Sequence, residues 1–147
     1  MRPVAIAELS PVESKSTRRT RQRDALRNII ARTDRPLGVQ ELLEAAAQEV
    51  DGIGVATVYR TVNGFLQDGF VRPVEIAGEP VRYERADKGH HHHFHCESCG
   101  RVFDVGECGE DIRQLAPPRF SVRAHDLTLY GSCAECNARA REAKNSN

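Results

Sequence analysis

Apolar residues recur at helical spacing in three consecutive segments of the first half of the chain. The spacing predicts a first helix from near Thr17–Thr20 to about Arg32, a second over 39–49 and a third over 55–67. The residues expected on the buried faces are Ala25, Leu26, Ile29 and Ile30, then Leu42, Leu43, Ala46 and Val50, then Val58, Val62, Phe65 and Leu66. Gly69 stands where a left-handed cap would end the third helix.

From residue 71 the helical period gives way to alternation. Apolar residues alternate with polar ones across 71–84 on both sides of Ala77-Gly78-Glu79-Pro80, which predicts a β-hairpin. Three helices followed by a hairpin is the order of a winged helix-turn-helix domain. We therefore assign that domain to residues 16–85, after a flexible arm over 1–15.

The remainder of the chain predicts a second, smaller region. Residues 86–89 form a polar hinge, 90–140 a second domain and 141–147 a tail. The elements expected there are strands at Phe94–Cys96, Arg101–Val105 and Ser121–Tyr130, a short helix near Gly109–Leu115, and a last helix after Cys136. The expected fold class is α+β, with an N-terminal winged helix-turn-helix domain and a small C-terminal α/β domain.

Charge is distributed unevenly along this neutral chain. Eight basic residues and two acidic ones fall between Lys15 and Arg35. A basic segment on a chain of zero net charge is expected of a phosphate-binding face, and a solvated helix face is the alternative. No apolar run approaches the roughly 20 residues that cross a bilayer, and we expect a cytoplasmic protein with no membrane partner. In that compartment the five cysteines indicate metal ligands or free thiols.

Four cysteines form two Cys-x-x-Cys pairs, Cys96 with Cys99 and Cys133 with Cys136. Two such pairs can close one tetrahedral structural zinc site, and redox-active dithiols are the alternative. The fifth cysteine, Cys108, is expected to be a buried or inert thiol, or else part of an exchangeable metal site.

A run of four histidines, His90-His91-His92-His93, directly precedes the first cysteine pair. Successive side chains of an extended segment point to opposite faces, so the run can serve two metal sites. Glu84 is a candidate partner of His91 and His93. Candidate partners of His90 and His92 are Asp111 and His125. A solvated surface run is the alternative.

At these residues the chain resembles the Fur family of bacterial metal-dependent repressors, and most of all its zinc-sensing branch, Zur. The resemblance covers about Thr17 to Cys136. Its marks are Thr20-Arg21-Gln22-Arg23, Ala56-Thr57-Val58-Tyr59-Arg60-Thr61, Arg82-Tyr83-Glu84, the histidine run into Cys96-x-x-Cys99-Gly100, and His125 ahead of Cys133-x-x-Cys136.

The resemblance implies a homodimeric transcriptional repressor, and not an enzyme, that binds palindromic operator DNA when metal is present. It also implies that residues 90–140 are the metal-binding dimerisation domain and carry structural zinc. Its implied ligand groups are Cys96, Cys99, Cys133 and Cys136 for structural zinc, Glu84, His91 and His93 for a regulatory metal, and His90, His92, Asp111 and His125 for a second metal site. The expected DNA-binding residues are Lys15 in the arm, Arg19, Arg21 and Arg23 on phosphates, and Thr57, Tyr59 and Arg60 in the recognition helix.

Two departures from the family pattern bear on these expectations. The segment Arg35-Pro36-Leu37-Gly38 lacks the histidine that often supplies a regulatory ligand, and Arg72 stands where some zinc-sensing members carry one, so the fourth ligand is open. The segment around Pro117-Pro118 is shorter than usual, which affects the assignment of Asp111.

His92 favours zinc as the sensed metal. Iron, manganese or peroxide sensing, a zinc metalloenzyme, and a metal-storage or adaptor protein are the alternatives.

Overall fold

The computed structural model describes residues 14–106, 109 and 111–146, which form the expected α+β fold. In chain order the elements are α1 (Lys15–Arg32), β1 (Leu37–Gly38), α2 (Val39–Ala47), α3 (Val55–Gln67), β2 (Val71–Val74), β3 (Arg82–Arg85), β4 (His92–Cys96), β5 (Val102–Val105), α4 (Asp111–Gln114), β6 (Thr128–Gly131) and α5 (Ala134–Asn145). Residues 1–13 of the predicted arm lie outside the described residues.

The first helix begins earlier than predicted. The side-chain oxygen of Ser14 accepts a hydrogen bond of 3.2 Å from the backbone N–H of Thr17, which is the geometry of a serine N-cap. Lys15 therefore belongs to α1 and not to a preceding arm, contrary to the prediction.

The three N-terminal helices enclose one hydrophobic core. Its buried residues are Leu26, Ile29, Ile30, Leu37, Leu42, Ala46, Val58, Val62, Phe65 and Val71. The helical spacing therefore predicted the core faces of α1 and α3 correctly. For α2 it was right for Leu42 and Ala46, but the prediction of Val50 is wrong, because α2 ends at Ala47 and Val50 is only half-buried. Gly69 has φ +69°, so the predicted left-handed end of α3 is also confirmed.

The first sheet has the strand order β1-β3-β2. Strands β2 and β3 are antiparallel, with Arg72 opposite Glu84, which confirms the predicted hairpin. The two-residue strand β1 lies between α1 and α2 in the chain and pairs with β3. It therefore connects the first sheet to these two helices.

The second sheet has the order β5-β4-β6. Strand β4 is antiparallel to β5 and parallel to β6, which returns from a distant part of the chain. The prediction of one strand over 121–130 is wrong in its first part. Residues 121–124 are exposed, and the strand begins at Thr128.

The last helix begins at Ala134 and not after Cys136, as was predicted. Cys133 is its N-cap, with extended backbone, and Cys136 lies in its first turn. Both sulfurs therefore emerge at the start of one helix. Among the described residues, the helices are too short or too polar to span a lipid bilayer.

Candidate metal centres and nucleic-acid interface

The four paired cysteines meet at one end of the second sheet, and we call them the thiolate cluster. Cys96 ends β4, and Cys99 lies in the turn that Gly100, with φ +73°, closes. The other pair lies at the start of α5. Cys96 Sγ is 3.8 Å from Cys136 Sγ, and Cys99 Sγ is 3.9 Å from Cys133 Sγ. All four sulfurs lie within 4.8 Å of one another.

These distances fit a tetrahedral zinc ion. Zinc–sulfur bonds of about 2.3 Å give sulfur–sulfur edges of about 3.8 Å. The four thiols are free cysteines rather than disulfides. A single compact group of four soft donors favours zinc over two separate redox dithiols.

Hydrogen-bond donors surround the thiolate cluster. Burial opposes ionisation of Cys96, but backbone N–H groups, including that of Cys133 at 3.2 Å, outweigh it and lower the pKa of Cys96 to about 6. Arg101 donates to Cys99 Sγ at 3.3 Å and lowers the pKa of that thiol. Burial raises the pKa of Cys136 to about 12. A zinc ion bound to the thiolate would offset the free-energy cost of ionising Cys136.

A second group lies between the two sheets, and we call it the bridging cluster: Glu84, His91, His93 and Asp104. Glu84 lies on β3 of the first sheet, and the histidines and Asp104 precede or lie in the strands of the second. His91 Nε2 is 3.0 Å from Glu84 Oε2 and 3.8 Å from Asp104 Oδ1. His93 Nε2 is 3.5 Å from Glu84 Oε2 and 3.9 Å from Asp104 Oδ1.

Glu84 is a buried carboxylate that remains ionised. Its side chain is 1% exposed, and Arg72 Nε donates to its Oε1 at 2.8 Å. Burial would raise the pKa of Glu84, but the neighbouring imidazole of His93, the hydrogen bond from Arg72 and the charge of His91 lower it to about 2. An anionic carboxylate with two neighbouring imidazoles is a suitable ligand set for zinc, iron(II) or manganese.

Asp104 is the functional candidate that the sequence interpretation missed. It lies directly opposite His93 in the antiparallel pairing of β4 with β5, so the two side chains share one face of the sheet. The sequence contained the information needed to predict this pairing. Cys96-x-x-Cys99-Gly100 forms the turn between β4 and β5, and this turn sets the strand register that puts Asp104 opposite His93. Asp104 is therefore a candidate for the fourth ligand, which the sequence left open.

The third group is the histidine cluster, His90, His92 and His125. His125 Nε2 lies 3.2 Å from both His90 Nε2 and His92 Nε2. Burial, followed by the neighbouring His90 and His125, lowers the pKa of His92. The side chain of Asp111, expected as a fourth member, lies outside the described part of the chain, as does Cys108.

The histidine run divides as alternation predicts. His91 and His93 face the bridging cluster, while His90 and His92 face the histidine cluster. The structure therefore gathers the predicted ligands into the predicted groups, with Asp104 added and Asp111 undescribed.

Most of the expected DNA-binding residues meet in a groove of about 450 Å³ between the start of α1 and the start of α3. The residues that line it are Lys15, Ser16, Arg19, Thr20, Gln22, Arg23, Thr57, Arg60 and Thr61. Tyr59 lies outside the groove on an exposed face of α3 and is 51% exposed.

Two of the residues expected to contact phosphate, Arg23 and Arg21, are less available for that role than Arg19. Arg23 lies at the groove, but it forms an ion pair with Asp68 at 2.7 Å and its guanidinium stacks 4.6 Å from the centre of the Phe65 ring. Arg21 lines a separate cleft with Arg18, Asp51 and Gly52. Arg19 and Arg60 are therefore the better candidates for phosphate contact.

Comparison with known proteins agrees with this arrangement. The sequence profile of the ferric uptake regulator family matches residues 14–130. The zinc uptake regulation protein of Mycobacterium tuberculosis is 31% identical over 125 residues, which cover 82% of this chain and 95% of that protein. The ferric uptake regulation protein of Campylobacter jejuni is 29% identical over 130 residues, which cover 85% of this chain and 83% of that one.

A solved structure has a similar fold over most of the chain. The Helicobacter pylori ferric uptake regulator Fur, described as having three functional metal binding sites, aligns with a TM-score of 0.62 at 25% identity, covering 79% of each chain. With its three ligand clusters, its helical N-terminal part and its sequence match over residues 14–130, this chain belongs to the ferric uptake regulator family.

Proposed function

We propose that this protein is a zinc-responsive transcriptional repressor that binds palindromic operator DNA as a homodimer. The observation that carries the proposal is the bridging cluster, because Glu84 comes from the sheet that follows the recognition helix whereas His91, His93 and Asp104 come from the other sheet. A metal ion bound there would connect the two parts of the chain.

The proposed mechanism is a shift of population. A metal ion favours the DNA-competent arrangement only by the difference between its affinities for the competent and incompetent forms. A change from 1:99 to 99:1 requires about 5.5 kcal/mol. Two bridging clusters in a dimer, each with two imidazoles and two carboxylates, are a reasonable source of that free energy.

The proposed DNA contacts follow from the exposed face of α3. Tyr59 is placed to meet a thymine methyl group, and Arg60 a phosphate or a guanine edge. The groove cations Lys15 and Arg19 would neutralise phosphates, which makes affinity depend strongly on salt. A two-fold dimer would present two such helices to a palindromic site.

The proposed dimer interface lies on the C-terminal region. It exposes large apolar side chains: Leu115, Phe120, Val122, Leu129 and Tyr130. Leu129 and Tyr130 belong to β6, which lies at an edge of the second sheet. Exposed apolar residues on an edge strand and in the segment before it indicate a partner, and a second copy of this chain fits the family.

Zinc is favoured as the sensed metal by His92 in the third position of the run and by the zinc uptake regulation protein among the relatives. Iron, manganese or peroxide sensing is the second candidate, because relatives are also named ferric uptake regulation proteins. Both named relatives are regulation proteins, which argues against an enzyme. The basic groove argues against a storage protein.

The test is DNA binding titrated with metal. Protein with its thiolate cluster loaded with zinc is assayed by gel shift on operator DNA with zinc, iron(II) or manganese, and with a chelator too weak to remove thiolate-bound zinc. We expect zinc to promote binding and the chelator to abolish it. Binding that ignores every metal would contradict the proposal, and binding promoted only by iron(II) or manganese would favour the second candidate.

A further inference from the structure

Two cations hold the two carboxylates of the bridging cluster from outside. Arg72 Nε donates to Glu84 Oε1 at 2.8 Å, and Lys88 Nζ donates to Asp104 Oδ2. Lys88 also donates to the backbone carbonyl of Asp34 at 2.9 Å, so its ammonium is held in place from two sides. Both cations come from the segment between the recognition helix and the second sheet.

Each carboxylate is thereby divided into an outer and an inner oxygen. The outer oxygens, Glu84 Oε1 and Asp104 Oδ2, are occupied by Arg72 and Lys88. The inner oxygens, Glu84 Oε2 and Asp104 Oδ1, lie 3.0–3.9 Å from the Nε2 atoms of the two histidines. Lys88 Nζ is 3.7 Å from the inner oxygen of Glu84, too far for a hydrogen bond.

The ring of His91 is also held by a hydrogen bond from outside the cluster. His91 Nδ1 lies 2.7 Å from the carbonyl oxygen of Gly89, where an Nδ1–H donates. Nε2 is then the ring nitrogen of His91 that faces the inner carboxylate oxygens and can bind a metal ion. Such an outer hydrogen bond fixes the tautomer and the ring direction of a metal-binding histidine.

We propose that Arg72 and Lys88 are positioning residues that restrict Glu84 and Asp104 to one ligand oxygen each, so that the bridging cluster selects a four-coordinate metal ion. This inference rests on the proposed metal-sensing function and deepens it by assigning the basis of metal choice. A donor set of two nitrogens and two single oxygens suits tetrahedral zinc. Manganese and iron(II) favour higher coordination numbers, which a carboxylate that binds through both oxygens would help to supply.

The distances agree with this selection. Zinc bonds of about 2.0–2.1 Å to nitrogen and oxygen give tetrahedral edges of about 3.3–3.4 Å. The four measured nitrogen–oxygen separations, 3.0, 3.5, 3.8 and 3.9 Å, lie around that value. Rotating either carboxylate to offer both oxygens would break its contact with Arg72 or Lys88.

The test uses cobalt(II), whose visible absorption is intense when four-coordinate and weak when six-coordinate. The full-length chain carries His125→Ala to disable the histidine cluster, and its thiolate cluster is loaded with zinc. One equivalent of cobalt(II) is added to this parent and to its R72M, K88M and R72M/K88M variants. The near-ultraviolet sulfur-to-metal band checks that cobalt has not entered the thiolate cluster. Affinities for zinc and manganese are measured by competition on the same proteins.

We expect the parent to show the intense spectrum and the double variant the weak one. The preference for zinc over manganese should fall by about tenfold or more, the range in which outer-shell partners act. Arg85→Met is the matched control, because it removes one cation that pairs with Asp87 instead of a cluster carboxylate. It should leave the spectrum and the preference unchanged.

The inference is overturned by a weak spectrum in the parent, by an intense spectrum with unchanged preference in R72M/K88M, or by an equal change in R85M. The single K88M variant keeps the test decisive if loss of Arg72 unfolds the chain. Because all of these readouts come from the free protein, they are independent of DNA binding. Metal-indifferent DNA binding would overturn the proposed function without altering this result.

Discussion

The thiolate cluster and the bridging cluster lie close to the same strand and differ in what they connect. All four cysteines belong to the second sheet and the helix that follows it, and their donors are identical. The bridging cluster combines nitrogen and oxygen donors, and one of them, Glu84, comes from the first sheet. A metal in the first cluster would stabilise one region, whereas a metal in the second would join two.

The difference shows how one family fold can contain a permanent and an adjustable metal site. Thiolates bind zinc tightly, and such a site contributes folding free energy directly. Imidazoles and single carboxylate oxygens bind more weakly and exchange with the surrounding pool. We therefore assign the proposed sensing role to the bridging cluster, which lies between the two parts of the chain.

The largest expected effect comes from breaking the thiolate cluster. Cys99→Ser should destabilise the C-terminal region, because closing a structural zinc site supplies on the order of 10 kcal/mol. Urea unfolding and zinc content measure the effect. Cys108→Ser is the matched control and should retain the zinc. A C99S protein as stable as the parent would show that this cluster is not structural.

The next effect comes from breaking the bridging cluster. Glu84→Gln should leave zinc in the thiolate cluster and reduce the metal-induced gain in DNA affinity by tenfold or more, which is about 1.4 kcal/mol or more. Asp104→Asn should do the same from the opposite sheet. Glu75→Gln, at an exposed position of the same hairpin, is the control for both. A full metal response in E84Q and D104N, measured by fluorescence anisotropy, would contradict the account.

A third effect separates DNA contact from metal response. Arg60→Ala and Arg19→Ala should weaken DNA binding at every metal concentration and each reduce the salt slope by about 1, because each removes one phosphate contact. Arg32→Ala serves as the comparison, since Arg32 pairs with Glu49 at the far end of α1. Unchanged salt slopes in both groove variants would place the DNA on another surface.

The smallest effect concerns pH and the histidine cluster. Burial lowers the pKa of His92 below its ordinary 6.5, so the unfolded chain binds more protons just below that pH. Stability should therefore decrease as the pH falls through 6.5, and His92→Gln should flatten this dependence. Urea unfolding between pH 7.5 and 5.5, with a weak chelator present, measures the slope. An equal pH dependence of stability in the parent and in H92Q would show that His92 does not cause the effect.

Local patterns predicted much of the fold. The bounds of α3 and the hairpin of β2 and β3 agree with the sequence, since each depends on neighbouring residues. Alternation also divided the histidine run correctly. The late start of β6 was missed because its parallel pairing with β4 joins distant segments. Asp104 was missed for the related reason that its position depends on strand register.

The residues expected to contact DNA show the same limit of prediction from sequence. Charge alone made Arg19, Arg21 and Arg23 equivalent. Tertiary contacts then engage Arg23 with Asp68 and place Arg21 beside another cleft. Such distinctions depend on which helices pack together, and the composition of α1 does not contain that information.

The central claim is that metal at the bridging cluster fixes the relation between the two parts of the chain. Energy transfer between dyes placed by non-canonical residues at the exposed positions Gln48 and Arg141, with labelled chains diluted into unlabelled ones, measures that relation directly. The account predicts a zinc-dependent change and narrowing of the distance distribution in the parent and none in E84Q. An identical distribution with and without zinc in the parent, alongside zinc-dependent DNA binding, would contradict it.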